Sequence, residues 1–125
     1  VKVNAHKVKQ LINRIEKQGL IDGMNYDGHG FCVIGHMGDM CGLLDETTYD
    51  GSFRYRHLQT FGAVGCCIHR DNMARHANTI SEEFGIGLAQ LNLLQDANDS
   101  NQGGNVGAVL AHLRGLIYAD SEHAN

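Results

Sequence analysis

Apolar residues in the N-terminal stretch recur at helical spacing. Val8, Leu11, Ile12 and Ile15 share one face between a capping Asn4 and a terminating Gly19, which predicts an amphipathic helix over residues 4–18. The C-terminal stretch repeats the pattern, with Asn105 as cap and Val106, Val109, Leu110, Leu113 and Ile117 facing a core. Two more helices are predicted between them. One runs from a capping Asp71 to about Phe84 with Met73, Ala77, Ile80 and Phe84 inward and Gly85 ending it; the other spans Leu88 to Ala97 on Leu88, Leu91 and Leu93 or Leu94.

From Phe31 to Leu44 the chain sorts into three stripes at 100° per residue. Val33, Ile34, Met37, Met40, Cys41 and Leu44 form a wide apolar stripe, Gly35, Gly38 and Gly42 line up beside it, and Cys32, His36 and Asp39 occupy the remaining side. An interior glycine costs a helix about 1 kcal/mol relative to alanine, so three in line predict a close approach by another backbone, by a second subunit or by a ligand. Ordinary tight helix packing is the plainer account. Elsewhere the helical period fades. Thr47 to Arg56 sets β-branched and aromatic residues around Asp50-Gly51 and predicts a hairpin, and Leu20 to Gly30, with two Asp-Gly pairs, predicts a turn-rich loop with room for a second small one. Leu58 to His69 fits a helix or a glycine-interrupted strand, the helix being preferred. The expected fold is mainly α, an α+β chain in which five or six short helices pack as a compact bundle with one or two small β-hairpins, a single domain over residues 1–125.

Composition narrows the function. Sixteen glycines in 125 residues are nearly twice the usual ~7%, and proline is absent. Ten Lys and Arg against 14 Asp and Glu give a net charge of −4, with no basic run to neutralise a series of phosphates, so general nucleic-acid binding is not expected. No apolar run approaches the ~20 residues of a membrane span, and no signal-peptide pattern follows Val1, so the reading expects a soluble, cytoplasmic protein with Cys32, Cys41, Cys66 and Cys67 reduced.

Several groupings could carry chemistry. Cys32, expected in the first turn of its helix, where the helix dipole lowers a thiol pKa, would act with His36 and Asp39 as a Cys-dependent hydrolase. The same Cys32 should then be alkylated faster than Cys41. His29, Cys32, His36 and Cys41, or Cys66, Cys67, His69 and His76, contain metal-ligand types but match no zinc-finger spacing, so no metal site and no cofactor is expected. Asp96-x-Asn98-x-Ser100 opens like a calcium loop but lacks its glycine and its final glutamate. Gly103-Gly104-Asn105 at a helix start offers amides to an anion, or serves as a plain cap. Asn98 and Asp99 are read as tying the preceding helix to the start of the last one.

Phe31-Cys32-Val33-Ile34-Gly35, continuing through Leu43, resembles the helix that follows a Gly/Asp loop in small uncharacterised phage and actinobacterial proteins, and Leu91 to Asp99 and Asn105 to Ile117 resemble their closing helices around an Asn-Asp pair. The resemblance covers roughly 28–44 and 80–117. It implies a phage-borne or mobile-element protein and carries no activity with it. The function expected is therefore a small phage-type binding protein that acts in the host cytoplasm by occupying a host protein or sequestering a small molecule, with Gly35, Gly38, Gly42, Asn98, Asp99, Gly103, Gly104 and Asn105 as candidate binding residues and a homo-oligomer possible. The alternatives are a structural or accessory virion component and the Cys32 hydrolase. The enzyme question is left open, leaning towards no.

Overall fold

The computed structural model describes residues 2–22, 30–43, 70–101 and 103–124. Among them the chain forms five helices, α1 (Ala5–Gln18), α2 (Val33–Met40), α3 (Arg70–Phe84), α4 (Leu88–Asn98) and α5 (Val106–Ala124), and no strand. The mainly helical class stands. The expected hairpin over Thr47–Arg56, the Leu58–His69 segment and most of the Asp-Gly loop lie outside the described residues.

α1 forms as its pattern requires. Asn4 Oδ1 accepts the Lys7 amide at 3.1 Å, Gly19 ends the helix at φ +73° with its amide on Ile15 O, and Val8, Leu11, Ile12 and Ile15 are buried. Asn4 also serves a second helix. Its backbone amide donates to Phe84 O at 2.9 Å and its Nδ2 to Glu83 O at 3.2 Å, so one residue starts α1 and closes the carbonyl end of α3. The chain there passes over Gly85, whose φ of +67° turns α3 into the short link to α4.

α2 is shorter than the 31–44 stripes suggest. Cys32 stands at its N-cap, and Gly42 at φ +74° is the residue beyond its end, with Leu43 N–H on Gly38 O at 2.9 Å and Gly42 N–H on Asp39 O at 3.0 Å. This double closure is a Schellman turn. Gly42 therefore ends the helix and does not extend a glycine stripe. Every residue from Phe31 to Gly38 is buried, because α2 packs on α1, α3 and α4 together. The shared core gathers the α1 face, Val33, Ile34 and Met37 of α2, Ile80 and Phe84 of α3, Leu91 and Leu94 of α4, and Val109, Leu110 and Leu113 of α5. Leu88, expected inward, is 46% exposed: buried Leu91, Leu94, Gln95 and Asn98 define the inner face of α4, and Leu88, the first residue of the helix, stands at the edge of that face.

Candidate functional site

Cys32, His36 and Asp39 do not converge. Cys32 points to α4: its sulfur accepts the Gly35 amide at 3.3 Å, as an N-cap should, and its S–H lies 3.9 Å from Gln95 Oε1. His36 points to α1. Its Nε2–H donates to Gly19 O at 2.9 Å, which leaves Nδ1 to accept Arg14 Nε at 3.0 Å, while the Arg14 Nη2 pairs with Asp39. Arg14 thus stands between His36 and Asp39, and both imidazole nitrogens are committed to helix α1 and its end. The Phe31 ring completes the group, 5.1 Å from the His36 ring and 5.2 Å below the Arg14 guanidinium.

Burial holds the His36 pKa below its ordinary value. The Gly19 carbonyl raises it in part, the Arg14 charge lowers it further, and Asp39 raises it. The native state therefore keeps His36 neutral while the unfolded chain protonates it below about pH 6.5. The sign follows: this contribution to stability is complete above that pH and is lost as the pH falls towards the lower native value. Melting temperature should drop between pH 7.5 and 5.5, and His36→Gln, less stable throughout, should drop less over the same interval. Parallel pH profiles for the two proteins would refute the assignment.

Asn98 and Asp99 build a second polar group. Fully buried Asn98 accepts the Val33 amide on Oδ1 at 2.8 Å and donates Nδ2 to Ile21 O at 2.8 Å and to Asp99 Oδ1 at 3.0 Å, while Gln95 Nε2 holds Asp99 Oδ2 at 2.8 Å. The side chain ties α4 to the start of α2 and to the strand-like pairing of Ile21 with Phe31, and not to α5 as the sequence suggested. Only the Asn98 carbonyl reaches the last helix, accepting the Asn105 amide at 3.0 Å. Two of the three amides read as an anion cradle close on the chain itself, Gly104 N–H on Asn101 O at 3.1 Å and Asn105 N–H on Asn98 O at 3.0 Å, while Asn105 Oδ1 caps the helix by accepting the Ala108 amide at 3.1 Å. Gly104, at φ +91°, is packed so closely that a Cβ there would lie 2.7 Å from Leu20 Cβ. Gly103, at φ +82°, is exposed in the same turn, and Gly35 and Gly38 are buried within α2.

Among the described residues no three His, Cys, Asp or Glu side chains are grouped to hold a metal ion. Cys41, at the end of α2, instead meets Glu83. Burial first, then the hydrogen bond to Glu83 and its charge, push the thiol up to about 12, with Lys7 pulling the other way. The same bond and the Lys7 ammonium hold the Glu83 carboxyl below its usual range. Iodoacetamide at pH 7.5 should alkylate half-exposed Cys41 at least about tenfold more slowly than a peptide cysteine, and Glu83→Gln should speed it up. A peptide-like rate in the parent protein would contradict the pairing.

Two open grooves flank α1. One, of about 470 Å³, lies along the stripe Lys7, Gln10, Arg14, Lys17 and Gln18, with Asn13 at its edge and Met40 across from it. The other, of about 520 Å³, lies between α1 and α5. In the first groove Lys7 is fixed by Glu83 and sits 5.5 Å over the Phe84 ring, Arg14 is fixed by Asp39 with Nη1 unpartnered among the described residues, and Lys17 makes no ion pair there. The sequence reading missed this polar stripe and both Arg14 and Gln95. Its signal was present: five of the ten Lys and Arg fall within residues 2–17, where Glu16 is the sole acid.

No helix among the described residues is long and apolar enough to cross a membrane. No protein family, curated protein or solved structure matches the chain.

Proposed function

We propose that the chain is a small binding protein of phage type, acting in the host cytoplasm, and that its ligand carries anionic oxygens. The observation that carries this reading is the α1 groove, in which Lys7 and Arg14 are held in place on aromatic rings and acidic partners while Lys17 projects beside them. Cations fixed in advance lose little entropy when a ligand arrives, and Lys17, which makes no ion pair among the described residues, adds the uncompensated charge that would draw an anion. Gln10, Asn13 and Gln18 add both donors and acceptors. A volume of about 470 Å³ suits a small molecule, and the same chemistry would hold an acidic segment of a host protein. The hydrolase reading loses support, since the imidazole it needs is engaged by Gly19 and Arg14.

Calorimetric titration with citrate, with pyrophosphate and with a hexaglutamate peptide tests the reading and separates the two kinds of ligand. Saturable binding that Lys17→Glu weakens about tenfold or more, with an unchanged melting temperature, is the expected result. Absence of saturable binding for all three probes at low salt, or binding indifferent to Lys17→Glu, would overturn it.

A further inference from the structure

The described residues leave three large hydrophobic side chains exposed, and they belong to two different faces. Tyr118 of α5 is 67% exposed, and Leu88 and Leu93 of α4 are 46% and 49% exposed. Tyr118 lines the second α1 groove, together with the apolar Ile12 and Ile117 and the basic Lys9 and Arg114. Arg114 also reaches Glu16 at 3.5 Å, an exposed pair that a better-placed acid can replace. On α4, exposed Asp96 lies on the arc between Leu88 and Leu93, so that face offers apolar knobs with one acid among them. Neither face satisfies the other within one molecule, since the leucines stay exposed while the groove stays open.

The charge distribution matches the shapes. Residues 2–21 carry five Lys and Arg against Glu16 alone, whereas residues 77–105 carry Glu82, Glu83, Asp96 and Asp99 with no Lys or Arg. Lys7 already pairs with Glu83 and Arg14 with Asp39 inside one molecule, so the charges left to meet across copies are Lys9 and Arg114 on the groove and Asp96 on α4. We propose that the α1–α5 groove seats the exposed face of α4 from a second copy of this chain, Leu93 entering beside Tyr118 and Asp96 meeting Lys9 and Arg114. This goes beyond the anion groove, which lies on the other flank of α1. Donor and acceptor faces differ, so each added copy leaves one of each open and the contact propagates head to tail as a ring or a filament.

Sedimentation velocity on the whole chain decides it, using Leu93→Asp to disable the donor face and Tyr118→Asp to disable the acceptor. Both positions are exposed, so both variants should melt like the parent; Asp96→Lys, also exposed, is a second donor variant. The parent should form species larger than a dimer that grow with concentration, and each variant alone should be monomeric. Mixed one to one, they should form a heterodimer that grows no further, because a single intact donor and a single intact acceptor remain. A parent that stays monomeric at about 1 mM, where even millimolar affinity would register, would overturn the proposal. So would a variant mixture that stays monomeric, or a dimer that survives both substitutions.

Discussion

Asn98→Ala is expected to remove about 3 kcal/mol or more from the stability of the fold, seen as a melting temperature lower by roughly 10 °C. The side chain is fully buried and makes three hydrogen bonds, two of them to backbone groups, the buried Val33 amide and the part-buried Ile21 carbonyl. Alanine would strand the Val33 amide at the start of α2 and the Ile21 carbonyl, and each buried group left unmatched costs about 1–3 kcal/mol. The loss exceeds that of an ordinary helix cap, because one amide holds two segments that belong to different parts of the chain. Asn98→Asp separates the terms: it keeps an acceptor for Val33 but turns the donor facing Ile21 O into an oxygen and adds a charge beside Asp99. Its stability should therefore recover partly in mild acid, where the carboxyl is protonated. A melting temperature for Asn98→Ala within about 2 °C of the parent, less than 1 kcal/mol at this size, would show that the network is not needed.

Gly85→Ala should be comparably damaging for a steric reason. Gly85 combines φ +67° with a backbone contact: a Cβ there would lie 2.9 Å from the Lys2 carbonyl carbon and 3.0 Å from the Asn4 amide nitrogen, and nearer still to the Lys2 oxygen. These atoms cannot retreat easily, since the Asn4 amide is bonded to Phe84 O. The left-handed backbone alone costs a non-glycine residue about 1–2 kcal/mol, and the overlap adds about as much again. Gly19→Ala supplies the comparison, with φ +73° and no atom within 4 Å of its Cβ, so it pays the backbone cost alone. Chemical denaturation of the two variants reads the difference. Equal losses would remove the close approach from the account.

How far the sequence reveals this molecule depends on the reach of each interaction. α1 was legible because its cap, its apolar stripe and its stop lie within sixteen residues of one another. α2 was not, because stripe analysis assumes one wet face and α2 is buried on all sides from Val33 to Gly38; its third stripe, read as reactive, is instead the surface on which Cys32 turns to Gln95 and His36 to Arg14. Asn98 was read both as a structural tie and as a binding residue, and the tie it makes runs elsewhere than expected, since nothing local to residue 98 announces the Val33 amide 65 positions away. Leu88 and Leu93 show the opposite limit: leucine at helical spacing does not tell which leucine faces in when the helix carries four of them.

The double role of Asn4 has a kinetic meaning. Its bond to Lys7 spans three residues and can form while α1 is being nucleated, whereas its bond to Glu83 spans 79, and the Asn98 bonds to Val33 and Ile21 span 65 and 77. Closing a loop of such length costs about 4 kcal/mol of chain entropy, to be met before any of these bonds exists. The helices of this chain are therefore quick to form and slow to find their places. Its polar joints give the described helices the long-range topology, and the slower approach to the native state, that is more usual among sheet proteins.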